Sequence, residues 1–360
     1  MTQISRISFV LPFYTPTPIG GYRVVYEYAD FLAARGHAVT IIYPRHYSPP
    51  PTPAPFNFLR RHLWAPRTRL RNRPLIPWHT LHPRVRLALV PDLQEASVPD
   101  GDVIIATFWA TAPPVAELSA AKGRKFYLIQ HHETWAGPEI EVNDTWHLPF
   151  KKIVISKWLE EIGSQLGASG MRHIPNGIDL KRFRITTPPN KRPMSILSLY
   201  HDQVFKGVPD ALAVLELYHE RFPEVPISMF GTLPRGPDMP TWIRYFHNLS
   251  QEDLVQQAYN CNAIYFGASL IEGWALPPAE AMACGCAFVG TDSGGCRDFA
   301  IHNRTALLSA AGDRQGMLHN LSAMTKDNGL LRRIQLAGTE YIQQFTWKRA
   351  GAAFEEYLST

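Results

Sequence analysis

Two glutamates eight positions apart, Glu272 and Glu280, bracket the segment Glu272-Gly273-Trp274-Ala275-Leu276-Pro277-Pro278-Ala279-Glu280, which runs on into Ala281-Met282-Ala283-Cys284-Gly285. Prolines fit the first turn of a helix and glycine fits its end, so a helix is predicted to start at Pro277 and stop before Gly285. Glu272 then lies on the incoming loop and Glu280 in the first turns. A helix N-terminus presents free backbone N–H groups and a positive dipole end, which suits a diphosphate. Carboxylates on either side of such an anchor accept hydrogen bonds from sugar and ribose hydroxyls. An ordinary acid-capped helix explains the pair of glutamates equally well. A second candidate cluster, Gln130-His131-His132-Glu133, directly follows the apolar run 126–129, placing its histidines at the carboxyl end of a strand, where open α/β sheets bind ligands.

The elements that must hold these residues alternate between apolar runs and helical stretches. Strand-like runs fall at 7–11, 39–43, 85–90, 103–106, 126–129 and 152–155, with a turn-rich loop at 12–21 and a helix at about 22–35. After Pro175-Asn176-Gly177-Ile178-Asp179 the pattern restarts: strands at 195–199, 227–230, 263–266 and 287–290, helices near 209–221 and 251–259, and a helical tail at about 331–358. Strands alternating with helices predict parallel, doubly wound sheets. Two such domains in tandem predict a ligand cleft.

Length and composition agree with that. At 360 residues, 45% hydrophobic and 19% charged, the chain suits two globular domains and none of the disordered or fibrous classes. No basic leader with a cleavage site and no run of about 20 apolar residues occurs, so a soluble, cytoplasmic protein is expected. Cys261, Cys284, Cys286 and Cys296 form no CxxC pair; zinc is not expected, and all four are expected to be buried reduced thiols. The net charge of +5 is uneven. Residues 31–91 hold no Asp or Glu, yet contain Arg35, Arg45, Arg60, Arg61, Arg67, Arg69, Arg71, Arg73, Arg84 and Arg86. That stretch overlaps a Pro- and Arg-rich insertion at about 44–84 and could face nucleic acid, an anionic membrane or an acidic acceptor.

The Glu272 to Glu280 segment resembles the E-x7-E signature of family 4 retaining glycosyltransferases. Five further matches occur in order: the Gly20-Gly21 loop, Ile174-Pro175-Asn176-Gly177-Ile178-Asp179, Phe205-Lys206-Gly207, Phe230-Gly231, and Thr291-Asp292-Ser293-Gly294-Gly295. The resemblance covers nearly the whole chain and implies an α/β fold of the GT-B type, two Rossmann-like doubly wound domains facing across a cleft. It implies an N-terminal acceptor-side domain at 1–175, a C-terminal domain for the nucleotide sugar at 176–342, and a C-terminal helix at 343–360 crossing back to the N-domain. Carried over by position, it implies that Glu280 holds the ribose hydroxyls and Glu272 those of the transferred sugar. Lys206 neutralises the diphosphate, as a compact cation able to do so without a metal. Gly20, Gly21, His201, Gly231, Thr232, and the backbone of Gly273, Trp274, Ala275 and Leu276 complete the donor site. His131, rather than His132, stands beside the reacting sugar; with Glu272 and Lys206 it makes up the expected catalytic set.

One departure stands out: the family usually carries an arginine five residues before the lysine, where this chain has His201. Arg235 and Arg297 are the candidates to compensate. The resemblance further implies transfer, with retention, from a nucleotide diphosphate sugar to a glycan or lipid-linked glycan. It needs no cofactor or metal, and leans to rhamnosyl or mannosyl transfer in bacterial surface polysaccharide synthesis. The basic region 60–86 offers a peripheral contact with an anionic membrane at its inner face. The rivals are a nucleotide-sugar 2-epimerase of the same fold and a nucleic-acid-binding module built on the arginines. No nucleic-acid motif accompanies the latter, so no nucleic-acid partner is expected.

Overall fold

A computed structural model describes residues 5–45 and 76–360. Most of the Pro- and Arg-rich insertion, including Arg60, Arg61, Arg67, Arg69, Arg71 and Arg73, lies outside the described residues. The chain divides into two compact units, Met1–Asn176 with Trp347–Thr360, and Gly177–Thr346.

The first unit is built on a seven-stranded sheet: β1 (Arg6–Val10), β2 (Ala38–Pro44), β3 (Arg86–Val90), β4 (Val103–Ala106), β5 (Arg124–Ile129), β6 (Lys151–Val154) and β7 (Met171–His173). Its order is β3-β2-β1-β4-β5-β6-β7, and every pair is parallel. β1 and β4 are almost continuously apolar because helices bury both faces of a parallel sheet. The helix after β1 spans Gly20–Ala34, so Gly20 and Gly21 form its first turn and are not the loop that the turn-rich sequence predicts.

The second unit carries a six-stranded parallel sheet of β8 (Ile196–Leu199), β9 (Ile227–Gly231), β10 (Arg244–His247), β11 (Ile264–Gly267), β12 (Ala287–Thr291) and β13 (Ala306–Ser309). Its order is β10-β9-β8-β11-β12-β13. In both sheets the winding reverses beside the first strand, between β1 and β4 and between β8 and β11. At such a reversal the loops leaving the strand ends part and open a crevice.

Three strands escape the sequence pattern. β7 and β10 lie at sheet edges and β13 closes the second sheet; β7 and β10 carry Arg172, His173, Arg244 and His247 in place of apolar residues. The helix expected near 251–259 is one α turn, Gln251–Asp253, then a π-helical turn, Leu254–Ala258, then a 3-10 turn, Tyr259–Cys261. The tail is two helices, Asn328–Ile342 and Trp347–Ser359. The second belongs to the first unit: Phe354 stacks on Tyr28 and Phe9, and Glu355 binds His37 at 2.9 Å and Arg35 at 3.1 Å. Cys284, Cys286 and Cys296 are buried thiols, but Cys261 is exposed, contrary to expectation, because it closes the 3-10 turn at the surface.

Candidate active site

Two loops leave the carboxyl ends of β8 and β11, on either side of the reversal. After β8 the chain passes through a 3-10 turn, Val204–Lys206, into the helix Val208–Arg221. Gly207 makes that corner at φ +62°, and a Cβ there would run into the carbonyl of Ala268 on the neighbouring loop. Glycine is required twice over, for conformation and for room. The β11 loop is tied to the β8 loop by the amide of Leu270 donating to Phe205 O at 2.7 Å.

The fastened loops bring Lys206 and Glu272 together. Lys206 Nζ lies 2.8 Å from both carboxylate oxygens of Glu272, and Ser269 Oγ donates to Oε1 at 2.8 Å. The backbone of Glu272 is clamped in turn, donating to Ser293 O at 2.9 Å and accepting from Gly295 N–H at 3.1 Å. Gly295 packs on the Glu272 and Gly273 backbone so closely that no Cβ fits between. The result is a fixed, largely buried ion pair on the wall of a small pocket. Ser269, Ala275, Pro277, Pro278, Thr291 and Ser293 also line the pocket.

The helix beyond begins at Leu276, one residue earlier than its prolines suggest, and spans Leu276–Ala283. Its N-cap, Ala275, adopts φ +38° and ψ +64°, the left-handed region that costs a residue with a Cβ roughly 1 kcal/mol. Pro277 and Pro278 occupy the second and third helical positions and have no N–H. Within the first three positions only Leu276 donates, alongside the loop amides of Gly273 to Ala275, and the next amide, Ala279, turns back to Ala275 O at 3.5 Å. The dipole's positive end remains, so cationic charge at this pocket comes chiefly from Lys206.

Glu280 is buried and accepts a hydrogen bond from Tyr259 at 3.2 Å. Burial, and then the charge of Glu280, hold the Tyr259 phenol well above its ordinary pKa, so it stays a donor. Glu280, Gly231 and Thr232 do not line the Lys206 pocket. Gly231 ends β9 against the Tyr200 carbonyl, Thr232 is exposed just after it, and Asn248 N–H donates to Gly231 O at 2.7 Å. His201 accepts from Gln203 N–H through Nδ1 at 3.1 Å and stands 3.3 Å from the Asp202 carboxylate. Arg235 donates to the carbonyls of Met239, Pro240 and Ile243, and Arg297 pairs with Asp292 at 2.8 Å. Both arginines considered as substitutes at the diphosphate are thus engaged in their own loops. Trp274 is buried between Phe299 and Phe345.

In the first unit, Gly21 packs against the Gln130 side chain. His131 Nδ1 lies 2.9 Å from His132 O; a carbonyl only accepts, so Nδ1 carries the proton and Nε2 is the acceptor nitrogen of that ring. Trp135 and Trp158 meet the ring edge-on. His132 is occupied elsewhere, with Nε2 2.7 Å from Asn143 Oδ1. Glu133 is buried, accepts from Trp109 N–H at 2.6 Å, and is pushed up by burial to a pKa of about 8. Sequence reasoning missed Ser269 and Tyr259, and placed Glu133 in its histidine cluster without giving it a role. Nothing marks Ser269 or Tyr259 among ordinary loop and helix residues, but a glutamate two residues past a strand-end histidine was a readable signal.

Two parallel Rossmann-like sheets, each reversing its winding beside its first strand, are the architecture of the GT-B class. Residues 19–182 match the model of Glycosyltransferase Family 4 and residues 240–341 that of the glycosyl transferases group 1; the chain is a family 4-type glycosyltransferase. It is 25% identical over 388 residues to the phosphatidyl-myo-inositol mannosyltransferase of Mycolicibacterium smegmatis, covering 99% of this chain and 94% of that protein. Among solved structures, sucrose-phosphate synthase from Thermosynechococcus elongatus superposes with a TM-score of 0.75 at 16% identity, covering 98% of this chain and 97% of that one. HepE of Anabaena in complex with UDP and glucose superposes at 0.73 and 14%, covering 99% of each. Among the described residues no helix is long and apolar enough to cross a membrane.

Proposed function

We propose that this glycosyltransferase moves a sugar, with retention of anomeric configuration, from a nucleoside diphosphate donor to a hydroxyl of a glycan or lipid-linked glycan. The observation that carries this reading is the Lys206–Glu272 pair on the wall of the pocket at the β8/β11 reversal. An ammonium and a carboxylate 2.8 Å apart have the two chemistries a sugar diphosphate needs. The ammonium turns to phosphate oxygens, and the carboxylate, held in place by Ser269 and the Ser293 and Gly295 backbone, accepts from sugar hydroxyls. Transfer breaks the bond from the anomeric carbon to the phosphate oxygen and forms one to the acceptor oxygen. The leaving phosphate takes the acceptor's proton, while Lys206 and the helix dipole at Leu276 stabilise its charge. In this reading His131, at the carboxyl end of β5, orients a hydroxyl of the sugar. Lys206 supplies the cation in this scheme, and no resident metal is required of it.

The relative named as a phosphatidyl-myo-inositol mannosyltransferase supports a mannosyl-type donor and a lipid-linked acceptor. The neighbour crystallised with UDP and glucose supports a nucleoside diphosphate. The test is thermal unfolding with UDP, GDP, dTDP, ADP and CMP, with and without EDTA, on the wild type and Glu280→Ala. At about 100 times Kd a ligand adds roughly 2.7 kcal/mol. A shift with one diphosphate, indifferent to EDTA and lost in the variant, supports the reading; no shift with any nucleotide overturns it.

A further inference from the structure

Within the donor pocket, one residue breaks a local rule and gains nothing by it in stability. Ala275 is a buried N-cap at φ +38°, a conformation in which glycine is free and alanine is strained. It makes no side-chain cap bond to the helix it precedes. Its only side-chain atom is a methyl carbon, and that residue lines the pocket together with Lys206, Glu272 and Ser269. Replacing it by glycine would relieve the backbone and leave every hydrogen bond of the site in place. A strain kept at a ligand-facing position, against so simple a remedy, points to a use for the group that causes it.

We propose that Ala275 is a specificity-determining residue whose methyl group bounds the room for the transferred sugar, so that compact, unsubstituted sugars are accepted and bulkier ones, such as 2-acetamido sugars, are refused. The inference rests on the donor reading above. It concerns the sugar and not the nucleoside because of what shares the pocket wall. Lys206 and Glu272 are there, whereas Gly231, Thr232 and Glu280 are not. The wall is also stiff where the methyl sits. Pro277 and Pro278 follow within three residues, and the Glu272 backbone on the other side is held by Ser293 and Gly295. A rigid wall turns one methyl into a steric limit, since neighbouring groups do not shift to admit a larger ligand. One carbon in such a wall is worth 10- to 200-fold in discrimination, in order of magnitude.

The test uses the full chain as wild type, A275G and A275S. Dissociation constants are measured for UDP, UDP-glucose and UDP-N-acetylglucosamine, with GDP, GDP-mannose and GDP-fucose in parallel. A275G is expected to melt at a higher temperature and to lose about tenfold or more of the discrimination between the smallest and largest sugars on whichever base binds, with the affinity for the free diphosphate moving less than that for the sugar donors. A275S keeps a Cβ and is expected to keep the discrimination. An unchanged ratio in A275G, or a free diphosphate whose affinity moves as much as the sugar donors, overturns the inference and leaves the donor reading intact. Failure of the wild type to bind any diphosphate or donor overturns both.

Discussion

At the residue scale the two carboxylates that sequence spacing singled out turn out to be held very differently. Glu272 is an ion-pair partner on a pocket wall, while Glu280 is buried against a phenol. If Glu272 grips a sugar hydroxyl in the transition state, Glu272→Ala should lower kcat by about 10²- to 10³-fold. Glu272→Gln should recover part of that, because an amide oxygen still accepts; full turnover of the alanine variant on the donor identified by binding would remove Glu272 from the mechanism. Glu133 allows a prediction that needs no substrate. Its pKa is about 8 in the folded protein against 4.5 for the ordinary side chain. An acid whose pKa is raised by folding costs nothing below its unfolded value, and its penalty grows as pH rises from about 4.5 through about 8, where the buried group ionises. Over that window the folded state binds the extra proton, so stability falls with pH. Glu133→Gln copies the neutral acid and should flatten the decline, so that the variant gains on wild type by up to several kcal/mol above pH 8. Parallel curves of unfolding free energy against pH from 5 to 9 would contradict the assignment.

At the element scale, the site depends on where a few loops are fastened, and here the sequence was least informative. The strands β1, β4, β8 and β11 were legible because burial on both faces makes them continuous apolar runs, and the helix at Leu276 was legible from its prolines. Short edge strands such as β10 carry charge and no period. The π-helical turn Leu254–Ala258 has a helix's composition but not its register, so Tyr259 could not be aimed at Glu280 in advance. What holds the 3-10 turn that follows, Tyr259–Cys261, is Arg192, a buried guanidinium lying in a cage of backbone and amide oxygens. It donates to Thr187 O, Tyr259 O, Asn262 O, Asn260 Oδ1 and Cys284 O, joining the 3-10 turn to the end of the Leu276–Ala283 helix. Those carbonyls face no water once the guanidinium is gone, so Arg192→Met should cost about 2–4 kcal/mol, seen as a lower denaturant midpoint at unchanged slope. Arg192→Lys should recover little, since one ammonium cannot reach a fork's worth of acceptors. A midpoint within experimental error of wild type in Arg192→Met would show that the cage is incidental.

At the scale of the whole molecule the chain returns to its first unit after completing its second. The last helix, Trp347–Ser359, is held there by the Phe354 stack on Tyr28 and by Glu355 between His37 and Arg35. The tautomer fixes the sense of that contact: His37 Nδ1 accepts from Ser5 N–H, so Nε2–H is the donor to Glu355. The helix therefore closes the core of the first unit over β1 although it comes last in sequence. Its loss should be felt by the unit to which it belongs by contact, not by the one it follows along the chain. A chain ending at Thr346 exposes Phe9, Tyr28 and Phe31, whose rings face Phe354 and Gly351. Burial of two or three aromatic side chains is worth several kcal/mol, a large part of the stability of one domain. Hydrogen exchange on the truncated protein should thus show β1 and β2 losing protection by a hundredfold or more, with β8, β11 and β12 keeping theirs. Equal loss in both sheets would mean that the units fold as one and that the division of the chain has no energetic counterpart.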